Sequence, residues 1–185
     1  YEEAGRLIDL VNDIIFLSKL DEETVVYETE EIHLRELAKQ VKERLKIPCK
    51  NKEVAIHIVG EDVVMEGIPY MIEEVLYNLC DNGIKYNKQG GKVAVTLHSV
   101  MEDGISKAVI TVEDTGIGIP TEEQERIFER FYRVDKSHSK AIGGTGLGLS
   151  IVKHVVLLHH GNIGIKSEAG NGTTITVVLP VKHEC

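Results

Sequence analysis

Residues 69–86 carry two faces that cannot both be satisfied by one environment, and that conflict limits the folds open to the chain. A helix turns by about 100° per residue, so positions four apart sit about 40° apart on its surface. Asn78, Asn82, Lys85 and Tyr86 then form one polar row, while Ile72, Val75, Leu76 and Leu79 form an apolar back suited to a core. Pro69 is a favoured first-turn residue, and the turn-rich Asn87-Lys88-Gln89-Gly90-Gly91 stops the helix. Taken alone, the row fits a solvated face as well as the wall of a cleft, because Asn and Lys are ordinary surface residues. Its chemistry suits a nucleotide: an amide oxygen accepts Mg²⁺, an ammonium meets phosphate, and a phenol ring lies against a flat base.

The flanking segments predict a mixed α/β chain. Residues 1–23 read as a helix with Leu7, Ile8, Val11, Ile14, Ile15 and Leu20 at helical spacing, a stripe broad enough to want a partner helix. Asp21-Glu22-Glu23 follows it like a linker. A short edge strand is expected at 25–29 and an amphipathic helix over 34–46, halted before Pro48. Val54–Val59 reads as a strand. Lys92–Val100 and Ala108–Glu113 read as a hairpin around Glu102-Asp103-Gly104, and Asn162–Ser167 and Thr173–Leu179 as two closing strands. A short helix is expected over 122–132 and an apolar helix from Ile151 to about His160, ended by Gly161.

Two loops carry further chemistry. Asp114 ends an apolar strand and opens Asp114-Thr115-Gly116-Ile117-Gly118. An ionised carboxylate there accepts the exocyclic amino group of adenine and repels the oxygen that guanine presents instead. Gly116 and Gly118 let backbone approach a flat ligand, although a capped strand-to-loop turn would use the same residues. Residues 134–144 are polar and mixed, the composition of a mobile lid, and end in Gly144-Thr145-Gly146-Leu147-Gly148 ahead of a helix. Free N–H groups at a glycine-rich helix start suit phosphates, yet neither the P-loop pattern nor the dinucleotide-binding pattern is present.

Composition removes other classes. The net charge of −9 argues against general nucleic-acid binding. Cys49, Cys80 and Cys185 are odd in number and widely spaced, which predicts reduced cytosolic thiols and no zinc site. No apolar run is long enough to span a membrane, and the chain, which lacks a signal peptide and an initial Met, reads as a fragment of a longer protein.

Four segments match one family in order and spacing: the sequence resembles the catalytic and ATP-binding domain of sensor histidine kinases of two-component systems. Asn78–Asn87 looks like that family's N box, Asp114–Gly118 its first glycine box, Phe128–Arg133 its F box and Gly144–Gly148 its second glycine box. Residues 1–23 look like the second helix of its dimerisation and phosphotransfer hairpin, with 24–185 as the catalytic domain. The resemblance implies a two-layer α/β (α+β) sandwich of the Bergerat type, a mixed sheet with helices on one face, preceded by one helix. It implies that Asn78 binds Mg²⁺ and that Asn82 and Lys85 contact the phosphates of ATP. Tyr86 then packs by the adenine, Asp114 receives its amino group with Gly116 and Gly118 alongside, and Arg133 reaches the terminal phosphate. Gly144, Thr145, Gly146, Leu147 and Gly148 close the lid on the nucleotide. Asn78, Lys85 and Arg133 form the catalytic set. Gly83 stands where the family more often has Ala, which predicts a helix looser by up to ~1 kcal/mol.

The implied reaction is transfer of the terminal phosphate of Mg–ATP to a histidine and thence to a response regulator receiver domain. The implied setting is a homodimer, joined by the dimerisation helices, whose cytoplasmic kinase part belongs to a membrane-anchored protein. None of the eight histidines has the family's acceptor setting, so the acceptor is expected outside this chain. Two other readings are a gyrase-type ATPase of the same fold and a degenerate nucleotide-binding scaffold. The first carries Glu where Asn78 stands, and Asn takes no proton at neutral pH. Intact Asn78, Lys85, Asp114 and Arg133 argue against the second.

Overall fold

The computed structural model describes residues 2–22, 26–134 and 144–182. The expected lid lies almost wholly outside these residues, as does Cys185. In chain order the elements are α1 (Glu2–Leu20), β1 (Glu30–His33), α2 (Leu34–Arg44), α3 (Lys46–Lys52), β2 (Ala55–Gly60), β3 (Val64–Gly67) and α4 (Pro69–Lys85). There follow β4 (Lys92–Glu102), β5 (Ile105–Asp114), two 3₁₀ turns (Thr121–Glu123 and Arg126–Phe128), α5 (Gly148–Leu158), β6 (Asn162–Ser167) and β7 (Thr173–Pro180).

Five strands form one mixed sheet in the order β2-β4-β5-β7-β6, parallel only between β2 and β4. Alternation along the strands sends Val93, Val95, Leu97, Ile110, Val177 and Leu179 into a core closed by α2, α4 and α5. On the opposite face Thr96, Thr111 and Thr176 stand side by side across β4, β5 and β7 and are only half-buried. One covered face and one wetter face make the two-layer sandwich that the family resemblance implies. The Asp103-Gly104 loop has positive φ at both residues, 51° and 80°, the type I′ geometry that matches strand twist. That turn extends the hairpin beyond its expected limits.

Four local expectations change. The first edge strand lies at Glu30–His33 rather than 25–29, pairs with the unpredicted β3, and leaves Val26 exposed. The 34–46 helix ends at Arg44, and α3 then runs through Pro48. Pro48 is the third residue of α3, where its missing N–H forfeits no intrahelical bond. The 122–132 helix is two 3₁₀ turns. Finally α5 begins at Gly148 rather than Ile151.

Gly83 has a packing reason. A Cβ on it would stand 3.0 Å from Val93 Cγ2 and 3.4 Å from Asp114 Cβ, so the bare backbone lets α4 close on β4 and β5. Helix α1 behaves differently along its length: Leu17 and Leu20 are buried and Phe16 meets Tyr70 edge-on at 6.1 Å, whereas Leu7, Ile8, Val11, Ile14 and Ile15 are exposed. Among the described residues no helix is long and apolar enough to cross a membrane. Cys49 and Cys80 are both free thiols, and burial pushes Cys80 up to about 12.

His159, at the end of α5, ties that helix to the start of α4. The Ile68 N–H donates to its Nε2 at 3.1 Å, which leaves the ring proton on Nδ1 to donate to the Val155 carbonyl at 2.8 Å. Replacing it by an apolar side chain strands the buried Ile68 N–H. His159→Leu is expected to lower stability by about 1–3 kcal/mol in urea unfolding, with the m-value unchanged.

Candidate functional site

A cleft of about 740 Å³ opens between α4, the loop after β5 and the N-terminal end of α5, within the range of small-molecule sites. The polar row of α4 forms one wall: Asn78, Asn82, Lys85 and Tyr86 all line it, as does Glu74 one turn earlier. Asn78 Nδ2 donates to the Glu74 carbonyl at 2.9 Å, which fixes the amide and leaves Oδ1 directed at Gly148. A Cβ at position 148 would stand 2.6 Å from that oxygen, so a larger residue there would displace the Asn78 amide.

The other end of the cleft is apolar and closed by Asp114. Leu79, Val112, Ile119 and Ile175 line it around the carboxylate. Asp114 Oδ1 accepts the Gly116 N–H at 2.8 Å, so the turn and the cleft use the same side chain. Burial raises its pKa, and the Gly116 and Thr173 backbone N–H groups pull part of the way back. Gly116 itself lies behind the wall, where a Cβ would come 2.4 Å from the Tyr86 carbonyl; Gly118, at φ 68°, lines the cleft.

Lys85 is held rather than loose. Its Nζ lies 2.6 Å from Asp81 Oδ2 one turn back. Burial pulls the ammonium down, but the charge and hydrogen bond of Asp81, together with Tyr77 and Asp9, outweigh this and the net shift is upward, so Lys85 stays charged. Burial also raises Glu74, against the opposing charge of Arg44, whose Nη2 lies 3.8 Å away. Arg133 lines the cleft and donates to the Gly144 carbonyl at 3.1 Å. Gly144, Thr145, Gly146 and Gly148 line it too, with Gly144 and Gly146 at positive φ. Leu147 does not: its side chain is fully buried in the core and its N–H bonds the Thr145 hydroxyl at 3.2 Å. The Leu147 side chain makes no cap hydrogen bond to the first turn of α5, whose first residue, Gly148, lines this end of the cleft.

Sequence reasoning therefore assembled most of one site and missed its opposite wall. Asp9, Asn12 and Asp13 of α1, with Arg44 of α2, also line the cleft. The α1 residues recur at helical spacing, a readable polar stripe, but nothing in the sequence says what it faces. Asn87, inside the polar stretch, proves structural: its amide donates to the Gly83 and Lys92 carbonyls and accepts from Lys88 N and the Thr115 hydroxyl.

Comparison with known proteins agrees with this geometry. Residues 67–183 match the family described as histidine kinase-, DNA gyrase B-, and HSP90-like ATPase. The sensor histidine kinase WalK of Bacillus subtilis is 38% identical over 183 residues, 98% of this chain but 30% of that protein. The sensor histidine kinase RppB of Synechocystis is 36% identical over 185 residues, covering 97% of this chain and 39% of its own length. The chain thus spans about a third of the curated relatives it matches. Among solved structures, the mycobacterial sensor histidine kinase MprB superposes with TM-score 0.70 at 28% identity, over 85% of this chain and all of that one. The catalytic domain of the histidine kinase ThkA superposes with TM-score 0.70 at 27% identity, over 84% of this chain and 97% of that one.

The raised Asp114 has a measurable consequence. The folded chain holds its proton more tightly than the unfolded chain does, so this group's contribution to stability falls as pH rises from just above 3.8. Asp114→Asn removes that slope. In thermal unfolding of the ligand-free protein the variant should gain on the wild type between about pH 4 and pH 7; parallel curves would mean the carboxyl is not strained by burial.

Proposed function

The chain belongs to the histidine kinase-, DNA gyrase B- and HSP90-like ATPases, with the fold of the sensor histidine kinase catalytic domains, and from that premise we propose that it binds Mg–ATP and donates the terminal phosphate to a histidine outside this sequence, from which it passes to a response regulator. One observation carries the reading: a single cleft has a buried carboxylate in an apolar slot at one end and, at the other, two cations, an oriented amide and a glycine-rich helix start. The slot suits adenine, with Asp114 accepting its amino group and Tyr86 beside the ring. Asn82, Lys85, Arg133 and the Gly144–Gly148 turn suit the phosphates.

The donor set fits Mg²⁺ held mainly by phosphates and water. Asn78 Oδ1 is an available hard oxygen, and among the described residues no cluster of His, Cys, Asp or Glu forms an all-protein metal cage. When bound, the ion neutralises charge that develops on the phosphates. Residues 1–23 are the second helix of a dimerisation hairpin in this reading, and 24–185 the catalytic domain. The whole protein is then a homodimer with its kinase part in the cytoplasm and an anchor in the membrane. Hydrolysis of the gyrase type is not favoured, since Asn78 occupies the position where a base would be needed and Glu74 is paired with Arg44.

Binding measurements test the site. The chain should bind ATP more tightly with Mg²⁺ than without, and prefer ATP to GTP; Asp114→Asn should lower that preference about tenfold or more. Phosphotransfer tests the reaction. The chain alone should not label itself from ATP, whereas adding the preceding helical segment of the same protein should yield acid-labile phosphate on that segment at a rate that rises with its concentration. Acid-stable label on the chain alone would overturn the assignment.

A further inference from the structure

The wall contributed by α1 is negatively charged, and it stands at the end of the cleft assigned to phosphates. Helix α1 is fixed there by its C-terminal half: Leu17 and Leu20 are buried, and Asp21 takes Arg130 Nη2 on both carboxylate oxygens at 2.9 and 3.0 Å. This docking turns Asp9, Asn12 and Asp13 into the cleft. Asp13 Oδ2 accepts the Thr145 hydroxyl at 2.6 Å, inside the glycine-rich turn itself. Burial raises Asp13, Asp9 and Asp81 push it the same way and Lys85 opposes them, so these groups share one field. The described lining holds five carboxylates, of Asp9, Asp13, Glu74, Asp81 and Asp114, against three cations, and the nearest cation on α4 is already taken by Asp81.

A site for a polyphosphate with excess negative charge in its own walls needs an explanation. We propose that Asp13 is a further specificity-determining residue of the nucleotide site, and that with Asp9 it makes docked α1 a wall that penalises each added phosphate. This rests on the adenine-nucleotide reading of the cleft. Repulsion between fixed carboxylates and a ligand scales with the ligand's charge, so adenosine escapes it, ADP meets part of it and ATP meets most. The same coupling acts in reverse: a bound triphosphate loosens the hold of α1 on the glycine-rich turn, because binding linkage is reciprocal.

Isothermal titration of the full chain with adenosine, ADP and ATP at low salt tests this. Asp13→Asn is expected to tighten ATP about fivefold, ADP less and adenosine not at all, with the gain shrinking in concentrated salt. Asp9→Asn, at an exposed position, should give the same order with a smaller gain, and it carries the test if Asp13→Asn fails to fold. Asp13→Glu, which keeps the charge, should not give the gain for ATP that Asp13→Asn gives. Equal changes for all three ligands, or weaker ATP binding in Asp13→Asn and Asp9→Asn, overturn the proposal, because Asp13 would then be shaping the turn or supporting a metal. A wild-type chain that binds none of the three overturns the cleft assignment first, and the proposal with it.

Discussion

Everything in the cleft depends on how closely α4 can approach β5. Three backbone contacts set that distance. Gly83 sits against Val93 and Asp114, Gly116 sits against the Tyr86 carbonyl, and the Ile117 N–H donates to the same carbonyl at 3.0 Å. Asn87 then ties the end of α4 to β4 through its side-chain amide. A methyl group at Gly116 would collide with the Tyr86 carbonyl at 2.4 Å and push the loop after β5 off the end of α4, whereas at Gly83 the Val93 side chain would have to give by only a few tenths of an ångström. The position of the site is thus set largely by backbone contacts.

The cleft is maintained against an electrostatic cost. Burial raises the pKa of Asp13, Glu74 and Asp114 together, so ionising each of them costs more in the unliganded pocket than in water. Local partners offset part of this: Thr145 for Asp13, Arg44 for Glu74, and backbone N–H groups for Asp114. Such a pocket trades stability for chemistry, as functional sites commonly do. The apolar core beneath it, continuous from α2 through α4 to α5, supplies the stability that is traded.

How much of this was legible in the sequence follows from the range of each interaction. The face of α4, the two long strands and the closing pair were readable because their signals are periodic and local. The Asp114 turn and the helix after the glycine turn were readable because strand ends and helix starts use particular residues. Three things were not. Strand β3 is four residues long and carries little pattern of its own. Pro48 looked like a stop, although a helix tolerates proline in its first turn. The third failure matters most for function: nothing in the sequence says what the polar side of α1 with Asp9 and Asp13 faces, and only the burial of Leu17 and Leu20 and the pairing of Asp21 with Arg130, over a hundred residues away, turn it inward.

The order of the sheet bears on how the protein comes into being. Strand β7 is the latest described strand in the sequence, yet it lies inside the sheet, between β5 and β6. Its first residue, Thr173, is in register with Asp114. A chain emerging from the ribosome can zip β4 to β5 early through the tight Asp103-Gly104 turn, but β5 keeps a bare hydrogen-bonding edge until β7 arrives. The floor of the pocket is thus completed by long-range pairing, a slow kind of step because it closes a large loop. Until that pairing forms, the nascent domain exposes an unpaired strand edge open to aggregation or to capture by a chaperone. The Asp114 end of the cleft is therefore completed only when the described sheet is.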